Sequence, residues 1–472
     1  MAKREIYLLS PRALSPETIA VAFAKTSRSP ESFREIAAEL SEESSAQFHE
    51  KWVVGYGHAS VAEHAVLHLA FENVSRVAVE TIESARLASF TEKSTRYQKW
   101  GAEDFTTPPE LERHPLRAAF EQTARGLFSA YRDSLEPVKN LVLKTSPRRE
   151  NESDEAYDRR IRSQYVDSCR FLLPAAANAN LGMTANARVV EMLIRKALSH
   201  PLEEVRQIGE SIKRVAKEET PTLVKYAEAA PYVMETSAEL GSRNQGVESR
   251  KQEGGSACAL IDYDSDGERK ILAAALYRFG ETSFTDALAY MQALSLAQRE
   301  ALAETLLRKL GRYDVPLREL EYAVYTFDLV MDQGAYVEFK RHRMMTQTPQ
   351  RLTTRLGYAT PLRIAESGLT SKYEAALNSA AELYESLYSF NPHVAQYIVP
   401  NGFNRRVLAQ FNLREAFAFC QLRTAANAHF SIRRIAQLIY AEIARVHPLL
   451  AKYMNIRAES PQSVEQNYFS KA

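Results

Sequence analysis

Apolar residues recur at intervals of three and four, with charges between them, across residues 187–216 and 413–454. That period gathers the apolar positions on one face and predicts long amphipathic helices. Two shorter runs have strand character: Ala65-Val66-Leu67-His68-Leu69-Ala70-Phe71 and Ala323-Val324-Tyr325-Thr326-Phe327. Helices and strands are thus mixed in both halves, an α/β (α+β) pattern dominated by helix. Residues 240–256 (LGSRNQGVESRKQEGGS) are polar, Gly-rich and aperiodic, which predicts a linker or long surface loop. The domain boundaries that follow are 1–240, a linker at 241–256, and 257–472. A charged stretch at 144–165 reads as an insertion in the first domain, a solvated loop leading into a helix.

The two halves share landmarks in one order. Glu63-His64-Ala65-Val66 and Glu321-Tyr322-Ala323-Val324 each open a strand-like run. Arg86 follows Glu63 by 23 residues and Arg343 follows Glu321 by 22. Phe171-Leu172-Leu173-Pro174 parallels Tyr397-Ile398-Val399-Pro400, and twelve residues after each proline stands Asn186 or Asn412, opening a long helix with Arg188 or Arg414. The Arg86–Arg188 interval is 102 residues and the Arg343–Arg414 interval 71, a difference that the charged insertion mostly absorbs. Such self-similarity predicts a tandem duplication.

Composition narrows the class. The chain has 472 residues, 45% hydrophobic and 25% charged, enough to bury cores without staples. Its 60 basic and 59 acidic residues leave a net charge of +1, which argues against charge-driven nucleic-acid binding. Cys169, Cys258 and Cys420 are scattered and odd in number, so no disulfide framework or zinc motif is expected. No apolar run approaches the ~20 residues of a membrane span, and the first residues lack a signal-peptide core. The expected location is the cytoplasm, with no membrane partner.

Four clusters carry candidate chemistry. Arg341-His342-Arg343 suits a phosphate or diphosphate, since guanidinium groups donate forked, charge-assisted hydrogen bonds; it also reads as a solvated basic face. In Glu92-Lys93-Ser94-Thr95-Arg96-Tyr97, Ser94 and Arg96 on a loop can reach one phosphate while Glu92 accepts from a sugar hydroxyl. Asn186/Arg188 and Asn412/Arg414 stand where a helix N-terminus offers unpaired N–H groups, although Asn there is equally a cap. Arg423 lies nine residues after Arg414 and need not share its face. Gly57-His58-Ala59-Ser60-Val61-Ala62-Glu63-His64 places hydrogen-bonding groups before a strand; His64 and His68 would make a metal pair only on a helix, and the run reads as strand. No Gly-rich dinucleotide fingerprint or phosphate-binding Walker loop is present.

In combination these clusters resemble the flavin-dependent thymidylate synthase family, once over about residues 55–223 and again over about 317–453. The resemblance rests on Arg341-His342-Arg343, on Ser94-Thr95-Arg96 separated from Arg86 by seven residues, on His58 with Glu63-His64, and on the proline and Asn-x-Arg landmarks. It implies two copies of a helix-rich domain with a mixed sheet, in a family that assembles as a homotetramer with sites between subunits. It implies FAD and dUMP as ligands, methylenetetrahydrofolate as one-carbon donor and NADPH as reductant. It assigns Glu92, Ser94, Arg96, Arg170 and Arg423 to substrate, and His342 and Arg423 to catalysis. It assigns His58, Ser60, Glu63, Arg86, Asn186, Arg188, Arg341, His342, Arg343, Asn412 and Arg414 to the cofactor.

The copies depart from the family pattern in complementary ways. The first has Ser84-Ala85-Arg86 in place of the triplet but keeps Ser94 and Arg96. The second keeps the triplet but has Arg351-Leu352-Thr353 in place of Ser-x-Arg, Pro316 in place of His58 and Gln396 in place of Arg170. The counterpart of Arg423 is displaced in the first copy by an apparent deletion, leaving Arg195 or Lys196. The expectation is one complete site, with Glu92, Ser94 and Arg96 from the first copy and Arg341, His342, Arg343, Asn412, Arg414 and Arg423 from the second, in a homodimer of two-domain chains. Modification of another uracil nucleotide, or a non-catalytic flavin- or nucleotide-binding paralogue, are the alternatives.

Overall fold

In the computed structural model, both predicted strands form and run longer than predicted. Strand β1 spans Val66–Ser75, β2 Ala88–Glu92 and β3 Asn178–Asn186; β4 spans Cys258–Tyr263, β5 Val324–Asp332, β6 Thr346–Pro349 and β7 Asn404–Asn412. The structure describes residues 5–27, 29–98, 100–243, 257–311, 314–457 and 459–470. They fall into two compact units. The first comprises Met1–Gln98, Glu103–Ala118 and Ala176–Arg250; the second comprises Lys99–Ala102, Ala119–Ala175 and Lys251–Ala472. The segment 119–175, which precedes the first copy's Asn-x-Arg landmark, therefore belongs to the second unit.

The first unit is built on a sheet of order β1-β3-β2. Alternate residues of β3 (Ala179, Leu181, Met183, Ala185) are buried, the period-two signature of a sheet covered on one face. They pack on Val190, Leu193 and Ile194 of the helix Ala187–Leu198 and on Ile212 of the helix Glu203–Glu219. Each large apolar side chain so buried contributes about 1.5–3 kcal/mol. The single long helix expected from residue 187 is two helices. Its apolar period continues through 199–202, but Pro201 has no N–H to donate and its ring stops the first helix.

The second unit repeats the plan with one strand added, in the order β4-β5-β7-β6. In β7, Arg405, Val407, Ala409 and Phe411 alternate inward as their counterparts do in β3. The buried face meets Phe417, Phe419 and Cys420 of the helix Leu413–Arg423 and Ile432, Ile435 and Ile439 of the helix Phe430–Val446. Here too the expected long helix is divided, after Arg423 and again at His447-Pro448.

Every pairing in both sheets is antiparallel, in place of the mixed sheet expected. β1 and β2 run in the same direction, but β3 lies between them and opposes both; β7 separates β5 from β6 in the same way. The β5–β7 register is unbroken from Val324↔Asn412 to Asp332↔Asn404, whereas β1 slips by one residue between Phe71 and Val74. Asn73 sits in that bulge with φ 55°, its backbone N–H donating to Asn180 Oδ1 at 3.0 Å. This extra residue is why Arg86 follows Glu63 by 23 positions and Arg343 follows Glu321 by 22.

The stretch read as a linker is only partly visible. Residues 240–243 close the helix Pro231–Arg243 rather than starting a loop, and 244–256 lie outside the described residues. The charged stretch at 144–165 holds the end of the helix Arg117–Thr145, a connection, and the start of the helix Asp154–Cys169, whose N-cap is Ser153. Among the described residues, no helix is long and apolar enough to cross a membrane.

Candidate functional site

The triplet of the second unit follows the short helix Gln333–Phe339, so its three side chains diverge. Arg341 is exposed, Arg343 half-buried, and His342 buried. The imidazole points at one face of the helix Leu413–Arg423, where Glu415, Phe419 and Arg423 recur every four residues and so stand in line. All three touch it. Glu415 Oε1 lies 3.0 Å from Nδ1, the Phe419 ring meets the imidazole edge-on with centroids 4.9 Å apart, and Arg423 Nε donates to Nε2 at 3.0 Å. Since Arg423 Nε can only donate, Nε2 is an acceptor and the imidazole proton sits on Nδ1, facing Glu415. Burial lowers the pKa of His342; the bond to Glu415 opposes this and the charge of Arg423 reinforces it.

Arg423 is gripped a second time. Its Nη1 donates to Glu338 Oε2 at 2.8 Å, while Arg170 Nη2 lies 3.5 Å from the other carboxylate oxygen. Arg170 Nε is 3.5 Å from Asp167 Oδ1, and the Asp167 carbonyl lies 3.1 Å from Nε2 of the buried His429. Burial alone would raise the carboxyl pKa of Glu338, but Arg170, His429 and Arg423 together hold it below the ordinary carboxylate value. Of the residues named from sequence, His342 meets Arg423 directly, and Arg423 and Arg170 meet through a carboxylate that was not named, Glu338. Glu338 and Glu415 escaped notice because carboxylates on amphipathic helices usually face solvent. The available signals were the four-residue spacings, Glu338 to His342 and Glu415 to Arg423 through Phe419.

Arg414 is placed apart from this network. It donates from Nε to the Pro316 carbonyl at 2.9 Å and from Nη1 to Glu321 at 2.9 Å. Asn412 caps the helix, its Oδ1 accepting from Glu415 N–H at 2.9 Å, and Asn186 does the same for Val189 N–H at 3.0 Å. Both asparagines therefore perform the capping role.

In the first unit, Arg188 pairs with Glu63 as Arg414 does with Glu321. The positions of His342 and Arg423 hold Ala85 and Ala197, and their chain neighbours meet instead, Lys196 Nζ donating to Ser84 Oγ at 2.6 Å. Counted from the two capping asparagines, no gap separates the helices: Ala197 stands where Arg423 does, and Lys196 is one residue earlier. Glu92 ends β2 and forms a buried ion pair with Arg76 at 2.9 Å. Ser94 and Arg96 follow in a turn, where Ser94 Oγ accepts from the Arg96 N–H at 3.3 Å, and Arg86 is exposed just before β2. His58, Ser60 and His64 line a cavity of about 580 Å³ with Lys25, Trp52 and Phe23, and the Phe23 ring stacks on His64 at 4.8 Å. Glu63 lies beside this wall, on the short 3-10 helix Ala59–His64. His68 belongs to β1 and contacts Thr184 Oγ1 at 2.9 Å through Nδ1, on a different element from His64.

The family profile of the thymidylate synthase complementing protein matches residues 10–222 and 259–449, most of the chain in two segments. The chain belongs to that family, and the two matched segments fit a tandem duplication. A "UPF0159 protein" of Chlamydia muridarum is 31% identical over 433 residues, covering 88% of this chain and 82% of its own length. A "UPF0159 protein" of Thermoplasma acidophilum is 28% identical over 442 residues, covering 86% and 88%. The flavin-dependent thymidylate synthase of Clostridium tetani is 26% identical over 215 residues, covering 45% of this chain but 82% of that protein. A relative of that kind thus aligns with less than half of this chain.

Proposed function

We propose that this chain is a flavin-dependent, thymidylate-synthase-like enzyme that transfers a one-carbon unit from methylenetetrahydrofolate to C5 of dUMP. The observation that carries the reading is the Arg423 guanidinium held between His342 and Glu338, with Arg170 on the far oxygen of Glu338. A cation fixed from two sides before substrate arrives suits a uracil carbonyl that gains negative charge in the transition state.

The donor set of the second unit fits a flavin dinucleotide. Arg341 and Arg343 flank the buried His342 and match phosphate oxygens, while Asn412 and Arg414 lie at a helix start, suited to the edge of a polar ring. FAD, kept reduced by NADPH, would supply the hydride there. In the first unit, Ser94 and Arg96 bind the nucleotide phosphate and Glu92, anchored by Arg76, accepts from a sugar hydroxyl. His58, Ser60, Glu63, Arg86, Asn186 and Arg188 are the first copy's contribution to cofactor binding. The first copy has no counterpart of His342, which favours one reactive centre per chain. The working assembly is a homodimer in the cytoplasm, acting on a free nucleotide rather than on a nucleic acid.

The test is the visible spectrum and flavin titration of the purified protein with and without dUMP, followed by release of the C5 proton from labelled dUMP. One flavin per chain, bleached by NADPH, is expected. Two per chain would overturn the single-centre version, and neither flavin binding nor C5 proton release would overturn the whole reading. A product gaining a group other than methyl would redirect it to another uracil modification. A monomer mass in solution would remove the homodimer.

A further inference from the structure

Two carboxylates stand at the second unit's arginine–histidine contact: Glu338, which helps hold Arg423, and Glu415, to which the proposed reaction gives no role. Glu415 and Glu338 come from different helical segments and reach the pair from opposite ends: Glu415 on Nδ1 of His342, Glu338 on Nη1 of Arg423. We propose that Glu338 and Glu415 are positioning residues, which lock Arg423 into one orientation and His342 into its Nδ1-protonated form. The proposal deepens the function proposed above and rests on it for its kinetic consequences, though not for its geometry.

A guanidinium has donors only, so a neighbouring imidazole must accept, and it can accept only from its unprotonated nitrogen. With Nε2 committed to Arg423, the ring proton is forced onto Nδ1, where the Glu415 carboxylate receives it at 3.0 Å. Removal of Glu415 would leave a buried N–H without that acceptor and let the ring turn, limited only by the edge of Phe419. On the other side, two bonds to a planar guanidinium, at Nε and at Nη1, fix both its plane and its rotation. Glu338 does more than hold Arg423. Its two oxygens face two arginines at 2.8 and 3.5 Å, so one side chain sets the spacing of Arg423 and Arg170. The charges facing this cluster are Glu338 and Arg341 from the segment bearing the triplet, Glu415 and Arg423 from the helix Leu413–Arg423, and Arg170 and Asp167 from the end of the helix Asp154–Cys169. The ordering entropy of both arginines is then met on folding rather than at the moment of binding.

Substitution separates positioning from mere stability. Glu338→Gln keeps the shape but offers one acceptor where two are needed. Glu415→Gln preserves an acceptor for Nδ1–H, and Glu415→Leu abolishes it. In full-length protein labelled with ¹⁵N-histidine, the wild-type His342 signals should report a neutral ring protonated at Nδ1 at pH 7. Glu415→Gln should keep that signature and Glu415→Leu should lose it. In turnover assays, Glu338→Gln and Glu415→Leu should lower kcat by tenfold to roughly 10²-fold, the scale of a misplaced catalytic group, with a smaller change in KM for dUMP. Glu415→Gln should recover most of the rate. A wild-type ring protonated at Nε2, or an unchanged ring signature and kcat in folded Glu338→Gln and Glu415→Leu proteins, overturns the proposal. If the wild-type protein turns over no uracil nucleotide, the functional reading fails, and the nitrogen spectra still decide the positioning.

Discussion

At equivalent positions the two units keep one kind of contact and have exchanged another. In both, an asparagine caps the helix that leaves the central strand, and an arginine two residues on pairs with a glutamate from the 3-10 turn ahead of the first repeat strand, Arg188 with Glu63 and Arg414 with Glu321. Two turns further along the same helices the likeness ends. The second unit has Arg423 on His342, tied to Glu338, Arg170 and Glu415; the first has Lys196 on Ser84. The retained contacts satisfy needs of the backbone, namely open N–H groups at a helix start and a fixed angle between strand and helix. Those needs are the same in any copy of the domain. The contacts that differ are between side chains: in the first unit alanines (Ala85 and Ala197) stand at the positions of His342 and Arg423, and the serine and lysine one residue earlier meet instead.

The widest gap between the units should appear on removing the cation. Arg423→Ala leaves Glu338 with Arg170 alone and should cost about 3 kcal/mol of unfolding free energy, with a loss of about 10²–10³-fold in kcat/KM. Lys196→Ala in the first unit should stay within about 0.5 kcal/mol. Equal losses in urea melts would erase the distinction drawn between the units.

Acid should separate them next. Burial pushes down the pKa of His342, His393, His429 and His447 in the second unit and of His49 in the first. The unfolded chain binds these protons near pH 6.5, whereas the folded units resist them. Stability is therefore whole above pH 6.5, declines as the pH falls below it, and levels off beneath the folded-state values. Each histidine adds a slope of at most about 1.4 kcal/mol per pH unit. Glu338, held low by its arginines, extends the decline below the ordinary carboxylate range. Hydrogen exchange followed at pH 7.5 and 5.5 should show the second unit's protection falling more; the reverse order would contradict this.

Smaller effects sharpen the comparison. Asn73 in the β1 bulge has a left-handed backbone, so Asn73→Val should cost about 1–2 kcal/mol in thermal melts and Asn73→Gly close to nothing. β5 has no such residue to probe. Least of all, Glu63→Gln should cost about 0.2–1 kcal/mol by removing a partly exposed ion pair, and Glu321→Gln only slightly more, since its second partner Arg318 is exposed. A large difference between them would mean that the retained contact does unlike work in the two units.

The sequence revealed what has a period or a fixed order. The strands at Val66 and Val324, the caps Asn186 and Asn412 and the doubling itself were legible because backbone geometry imposes repeats of two, three and four. Helix breaks were read less well, since the apolar period runs on through Pro201 and past Arg423. The short strand β4 gave too brief a run to stand out. The buried charges were hidden for a different reason. Glu92 with Arg76, and Glu338 with Arg170 and Arg423, are stable inside because they are paired, and the partners stand sixteen residues or more away, outside any helical or strand period. Arg170 and Arg423 were individually visible through the family resemblance; the carboxylate joining them was not.

The second unit claims residues 119–175, a stretch that lies before the first copy's own Asn-x-Arg landmark. The ancestral fusion is for that reason hard to reverse. A gene split inside 244–256 would encode a C-terminal polypeptide lacking two helices of its unit and the Arg170 that faces Glu338. Such halves would have to be supplied together and find each other, as fragments do in complementation, before the second unit could be whole. Once the segments of one structural unit are encoded on both sides of the other, the two copies no longer behave as separate genes, and loss of the first takes part of the second unit with it.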